Sequence, residues 1–256
     1  TRSPARAMAA FMAAGGGFYN PRAYVEEARR MGIGILPPGV NTGDWLCSPA
    51  EDGSLMLGFS LIRGMGSGEY GKLLEGRPHR SPASVRDAGI GRALASVMAA
   101  AGCFDEMGLS RSEAAWAVSS RGSGLFPEGV PPPPLPGYTR EYRVLSELEA
   151  MGVTTEVHPL EILERPPGTL SAGDPPREGR YSLWGRAAFL RSLGGGAGFV
   201  MLEDPTGVAD VYLPSPLYRE AERILRRPGA TLVLGCTAGE RGRVSALEAV
   251  PGPVLG

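Results

Sequence analysis

Gly198 to Leu213, GFVMLEDPTGVADVYL, is the stretch from which the fold is read. Two apolar, strand-like runs flank Asp204-Pro205-Thr206-Gly207, a strong turn signal. The stretch therefore predicts paired strands over Gly198 to Glu203 and Val208 to Leu213. The same period of two extends outward on both sides. Upstream, Tyr181 to Leu190 reads as a strand and is followed by the break Gly194-Gly195-Gly196. Downstream come a helix around Leu217 to Leu225 and strands over Thr231 to Cys236 and Val244 to Val250. Gly239-Glu240-Arg241-Gly242 separates the last two.

Five strands with a helix between the third and fourth is the order of a barrel of the OB type, which closes its sheet and leaves few edges. Another small β-barrel or sandwich is the competing architecture. The half before residue 177 reads as mainly helical. The expected class is thus α+β and multidomain, a helical segment followed by a five-stranded OB-type barrel. The expected divisions are 1–48, 49–121, a Pro-rich linker and connecting helix over 122–176, and the barrel over 177–250.

Pro4 to Ala14 reads as a short helix that is apolar on most sides and therefore buried, ended by Gly15-Gly16-Gly17. Asn20-Pro21 looks like an N-cap followed by proline at the first helical position. Further helices are expected around Tyr70 to Glu75, over Arg92 to Ala101, from Ser110 through Trp116, and over Arg140 to Met151. Ser110 with Glu113 three residues on is a capping-box pattern. Pro131 to Pro134 favours a stiff, extended spacer. No internal repeat stands out.

Composition bounds the chemistry. The chain has 256 residues, 43% of them apolar, and a formal net charge of −1. Residues 63–121 carry eight Arg or Lys against six Asp or Glu, and residues 177–256 carry ten against eight. The connector 122–176 carries three against eight. Two faintly basic segments thus flank an acidic one, which permits nucleic-acid binding without demanding it. Cys47, Cys103 and Cys236 are far apart and, with two histidines, make no familiar metal pattern, so free thiols in a reducing cytoplasm and no metal are expected. No apolar run is long enough to cross a membrane, and no partner role with a membrane is expected. The chain begins at Thr1, which suggests a piece of a longer protein.

Ile62-Arg63-Gly64-Met65-Gly66 has the pattern of a helix-hairpin-helix turn. Glycines let the backbone approach a phosphate, and the N–H groups opening the next helix point at it. Met65 would plug the turn into the core, and Lys72 would add a cation near the same strand. The alternative is a glycine turn that only connects. Arg86 and Arg92 either face DNA or lie on a solvated helix face. Arg92 to Ala101 with Gly102-Cys103-Phe104-Asp105 looks like the closing part of a second hairpin unit, with Cys103 and Phe104 in its core. Gly66 to Leu73 falls one residue short of a phosphate-binding P-loop, because Leu73 has no oxygen for magnesium, and an NTPase reading is rejected on that ground.

In the barrel, a nucleic acid would lie across the second and third strands. Phe199 and Tyr212 are stacking candidates. Arg186, Arg191, Arg241 and Arg243 are backbone candidates. Alternation puts Phe199 and Met201 on one face and Val200 and Leu202 on the other, and both faces are apolar, so whether Phe199 points inward stays open. Glu203 and Asp204 read as part of a turn rather than a metal pair, His158-Pro159 as the opening of a short helix, and no catalytic set emerges.

Taken together these pieces resemble the bacterial C-family DNA polymerases, the alpha subunit of DNA polymerase III and its error-prone relatives. Gly16-Gly17-Phe18-Tyr19-Asn20-Pro21, Tyr24 to Gly32 and Leu36-Pro37-Pro38 with Val40-Asn41 are similar to the end of that family's fingers domain. Leu57-Gly58 through Gly66 resembles its first helix-hairpin-helix, and Ala101 to Asp105 with Leu109-Ser110-Arg111 its second. Tyr142 to Gly152 and His158-Pro159-Leu160 resemble the lead-in to its OB domain, and Leu202-Glu203-Asp204 with Thr206-Gly207 the OB signature.

The resemblance implies a grip on duplex DNA by the hairpins and on single-stranded template by the barrel. It implies no cofactor in this chain, magnesium being held by palm aspartates elsewhere in such a polymerase. It also implies other holoenzyme subunits as partners and a cytoplasmic, nucleoid-associated setting. Gly122-Ser123-Gly124-Leu125-Phe126 stands where the family often carries a peptide for the sliding clamp. Leu125 and Phe126 supply its apolar anchors, and Gly122 replaces its Gln. Tyr70 stands where the hairpin motif usually has a small residue. A nucleic-acid-binding module without polymerase activity is the alternative.

Overall fold

The computed structural model describes residues 3–14, 21–120, 133–175, 178–227, 229–238 and 244–255. Gly15 to Asn20, the Leu125-Phe126 pair, Pro131, and Arg241 with Arg243 lie outside them. The chain divides into two compact units, one of residues 1–17 and 31–156, the other of residues 18–30 and 157–256.

In the first unit, helix α1 (Pro4–Ala13) buries Ala5, Met8 and Ala9. Phe11 is 60% exposed, so α1 is apolar all round but covered on one face within this unit. It packs against a small sheet in which β3 (Leu55–Met56) pairs parallel with β1 (Ile35–Leu36) and antiparallel with β2 (Ser48–Pro49). Strand β3 stops at Met56, and Phe59–Leu61 winds into one 3-10 turn.

Helices α3 (Ser67–Glu75), α4 (Pro82–Asp87), α5 (Arg92–Ala100) and α6 (Arg111–Ser120) follow, then α7 (Arg140–Met151). Between α5 and α6, the Cys103 and Phe104 side chains are buried, as expected. The Ser110 capping box forms: Glu113 Oε2 accepts from the Ser110 N–H at 2.8 Å, and Ser110 Oγ accepts from the Glu113 N–H at 3.3 Å. Tyr70 fills its unusual position by packing on Trp45 and Phe59, ring centroids 5.5 and 5.6 Å away. One buried ion pair ties α6 to α7, Arg111 to Glu147 at 2.7 Å. Glu147 also accepts from the N–H and hydroxyl of Thr155.

In the second unit, β5 (Gly179–Gly194), β6 (Ala197–Asp204) and β7 (Gly207–Leu213) form an antiparallel meander. Helix α8 (Ser215–Leu225) then leads to β8 (Leu232–Ala238) and β9 (Val244–Pro251). Strand β9 runs parallel to β7 and antiparallel to β8, and β8 pairs with β5, which closes the cylinder. The closed, mixed five-stranded barrel with α8 between its third and fourth strands is the OB-type order expected from the sequence. A two-residue strand, β4 (Thr169–Leu170), adds to the edge of β5.

The interior is filled by Leu183, Val200, Leu202, Val211, Leu213, Leu232 and Leu234, each 0% exposed. Full burial of one such side chain contributes about 1.5–3 kcal/mol. Ala221 and Ile224 of α8 plug one end. Gly198 allows this, since a Cβ there would stand 2.3 Å from the Tyr218 ring.

Helix α2 (Pro21–Arg30) belongs to this second unit although it lies early in the chain. It buries Val25, Glu26 and Ala28.

Candidate nucleic-acid interface

The turn Ile62 to Gly66 is a closed hairpin. The Met65 N–H donates to the Ile62 carbonyl at 3.1 Å, and Gly64 has φ +85°, a conformation that favours glycine. Met65 is 9% exposed and anchors the turn, while Gly64 lies at the surface. Gly66 is the N-cap of α3 and carries no side chain to occupy the helix's opening N–H groups. Residues Ser67 to Lys72 are helical, so no phosphate-binding loop of the NTPase kind exists there.

A second hairpin has the same construction. Ala88-Gly89-Ile90-Gly91 joins α4 to α5, Gly89 has φ +89°, Ile90 is 0% exposed, and Gly91 is the N-cap of α5. The Arg86 guanidinium donates to the Ile90 carbonyl at 2.5 Å and braces the turn from within. Arg92, the first residue of α5, is exposed.

This turn was missed in the sequence, where Arg92 to Asp105 is read as the closing part of the second unit. The signal was there: Gly89-Ile90-Gly91 repeats the Gly-apolar-Gly of Gly64-Met65-Gly66, a short internal repeat. What hid it is α4, whose six residues are too short for a periodicity to register. The two hairpins are neighbours. A Cβ on Gly64 would meet Leu94 Cδ1 of α5 at 3.9 Å, and one on Gly89 would meet Lys72 Cδ of α3 at 3.7 Å. Lys72 is exposed on α3, and its stem also lies beside Gly89 of the second hairpin.

On the barrel, Arg191, Phe199 and Tyr212 are cross-strand partners in one row over β5, β6 and β7. The interior positions are Val200 and Leu202, each 0% exposed, so Phe199 and Tyr212 stand on the outer face and the open question of Phe199 is resolved. Their ring centroids lie 5.4 Å apart, edge to face. Arg191 is exposed beside them. The next row holds Phe189, Met201 and the exposed Asp210.

The third outer row, Arg186, Glu203 and Val208, differs. Helix α2 covers part of it. Arg22 Nε lies 2.9 Å from Glu203 Oε1, and Arg22 also donates to the Ala187 carbonyl. Arg186 sits under this cover, where burial and then the Arg22 charge bring its pKa down to about 10. Arg186 is therefore only part-exposed, unlike Arg191. Burial likewise raises the Glu26 carboxyl, against the opposing pull of Arg29, 3.0 Å away.

His158 opens a short 3-10 helix over Pro159–Ile162, as expected, and caps it through Nδ1, which accepts from the Leu160 N–H at 3.1 Å. Burial and then the charges of Arg186 and Arg29 push its pKa down to about 3. Asp204 is 0% exposed and wholly engaged in the β6–β7 turn. Its Oδ1 accepts from the N–H and hydroxyl of Thr206 and the N–H of Gly207. Its Oδ2 accepts from Ala172 and Arg165. Burial alone would raise its pKa, but these bonds outweigh it and hold the carboxyl low. Cys103 and Cys236 are buried, which raises both thiols, Cys236 to about 12. Among the described residues no group of three or more His, Cys, Asp or Glu is placed to hold a metal ion, and no helix is long and apolar enough to cross a membrane.

Paired glycine hairpins at helix N-termini, with a closed OB-type barrel after them, define the class as one of helix-hairpin-helix and OB-type architecture. The helix-hairpin-helix motif family matches residues 32–114, which include both turns. Along most of its length the chain is similar to error-prone DNA polymerases. That of Corynebacterium efficiens is 30% identical over 235 residues, covering 85% of this chain and 22% of the relative. That of Dechloromonas aromatica is 28% identical over 242 residues, covering 85% and 23%. That of Anaeromyxobacter sp. (strain K) is 30% identical over 261 residues, covering 89% and 22%. The chain thus spans less than a quarter of the length of the curated relatives it matches. The resemblance to C-family DNA polymerases holds, with the error-prone members as the relatives named.

Proposed function

We propose that this chain is the DNA-gripping portion of an error-prone, C-family DNA polymerase. Its hairpins hold the backbone of duplex DNA, and its barrel holds single-stranded template across the Arg191, Phe199 and Tyr212 row. The observation that carries the reading is the pair of adjacent hairpins. Each has a buried apolar plug, a glycine at positive φ and a helix opened by an uncapped glycine. Such N-termini offer N–H donors and a positive dipole end to phosphate, and glycine lets the phosphate come close. Contacts of this kind fix position without reading sequence.

In this reading Gly64, Met65 and Gly66 form one turn, Gly89, Ile90 and Gly91 the other, and Lys72 and Arg92 supply cations. The stretches 1–48, 49–121, 122–176 and 177–250 serve as fingers end, hairpin domain, linker and barrel. The clamp contact through Leu125 and Phe126 rests on sequence alone. Nucleotidyl transfer, with its magnesium, belongs to parts of such a polymerase that hold palm aspartates, and holoenzyme partners enter with them.

Filter binding of the chain to matched single-stranded and duplex DNA, between low and moderate salt, tests the proposal. Binding is expected to both forms, indifferent to sequence, with log affinity falling linearly with log salt at about 0.9 per phosphate neutralised on duplex. A flat salt response would point to a protein partner and overturn it.

A further inference from the structure

We propose that the two hairpins grip DNA unequally. The second is the stronger phosphate clamp, completed by Lys72 lent from the first hairpin's own helix, and Glu69 holds the first back. The inference rests on the DNA-binding reading above and assigns charges within it.

Around the first hairpin the groups are balanced or acidic. Glu69 lies in the opening turn of α3, and its Oε2 is 2.8 Å from where a Cβ of Gly66 would stand. A carboxylate so placed already occupies the electropositive end that a phosphate would seek. Arg63, the cation of this turn, is paired with Glu149 of α7 at 2.9 Å. Its N–H donates to the Ala150 carbonyl at 2.8 Å, which fixes the turn against α7.

Around the second hairpin the balance reverses. No acidic residue lies in the opening turn of α5, and Arg92 is exposed there. The Lys72 stem lies against Gly89, 3.7 Å from a Cβ that residue would carry. A Cβ on Gly91 would meet nothing within 4 Å, so the approach to this N-terminus is open. At the second turn Arg92, the Lys72 stem and an open helix N-terminus stand against one acid, Asp87 at the end of α4, while at the first Glu69 and Glu149 stand against Arg63 alone.

Fluorescence anisotropy of the full chain with a labelled duplex tests this, using Glu69→Gln, Lys72→Gln, Gly66→Ala and Gly91→Ala. Both glycines have negative φ, so alanine fits the backbone; at Gly91 the methyl meets nothing within 4 Å, whereas at Gly66 it also displaces the end of the Glu69 side chain, 2.8 Å away. Thermal melts confirm folding. Gly91→Ala is expected to weaken binding more than Gly66→Ala. Lys72→Gln is expected to weaken it about two- to fivefold and lower the salt slope by about one. Its effect should shrink in the Gly91→Ala background and persist in the Gly66→Ala background. Glu69→Gln should tighten binding about two- to fivefold. A larger effect at Gly66, coupling of Lys72 to Gly66 instead, or no gain from Glu69→Gln overturns the assignment while leaving DNA binding intact. Absence of duplex binding by the unaltered chain overturns the functional reading, and this inference with it.

Discussion

Phe199 and Tyr212 face each other across β6 and β7 on the outside of the barrel, their rings edge to face at 5.4 Å. Aromatic rings at the surface of a sheet offer π-faces on which bases stack regardless of identity. Replacing either with alanine should weaken binding of a short oligodeoxythymidine by about 1–3 kcal/mol while leaving the melting temperature nearly unchanged. Fluorescence anisotropy with a labelled oligonucleotide reads the first, and a thermal melt the second. Loss of stability with unaltered affinity would return both rings to a packing role.

The hairpin glycines, of which Gly64 and Gly89 have positive φ, make a second test. Gly64→Val with Gly66→Val, and separately Gly89→Val with Gly91→Val, force a β-branched residue into a left-handed turn and block the phosphate approach. Each pair should reduce duplex affinity without altering sequence preference. A folded double variant with unchanged affinity would remove that turn from the interface.

His158 gives the chain a pH-dependent stability. Its folded pKa near 3 lies below the ordinary 6.5, so the unfolded chain takes up a proton that the folded one refuses. The stabilisation is complete above pH 6.5 and is lost as pH falls towards 3, amounting to about 2 kcal/mol by pH 5. The raised Glu26 carboxyl acts in the opposite sense over the lower part of this range. Comparison of urea midpoints at pH 7.5 and 5.0 between the unaltered chain and His158→Gln isolates the histidine. Equal slopes in the two would refute its buried, neutral state.

Asp204 is expected to matter for stability and not for chemistry. Its carboxylate accepts five hydrogen bonds that close the β6–β7 turn and tie it to Ala172 and Arg165. Asp204→Ala should cost about 2–4 kcal/mol in denaturant unfolding, since several buried donors lose their partner. A cost under about 0.5 kcal/mol would show the turn to be held by other means.

The barrel was legible because alternation and turn residues specify strands locally, and the order of strands and helix then leaves few topologies. The face of Phe199 was not, since Phe199, Val200, Met201 and Leu202 are all apolar and only closure of the cylinder decides which two go inside. The partial cover over Arg186 was not legible either, for a related reason. Nothing in Trp184-Gly185-Arg186-Ala187 records that α2, more than 150 residues earlier, lies over that row. That the Lys72 stem lies by Gly89 was not legible either, since it depends on how α3 packs beside the second turn. Gly89-Ile90-Gly91 was readable as a second copy of the first turn, but the helix before it is one and a half turns long and gave no pattern to frame it.

The Arg22–Glu203 pair also bears on how this polypeptide can be taken apart. The barrel's folding unit is discontinuous, its outer wall being finished by ten residues that precede an insertion of well over a hundred. Cleavage just ahead of the first long strand would yield all five barrel strands, without the two-residue β4, yet strip the shield from a wholly sequestered acid side chain. Such a trimmed piece should be a poorer folder than one to which the missing helix is supplied as a separate peptide.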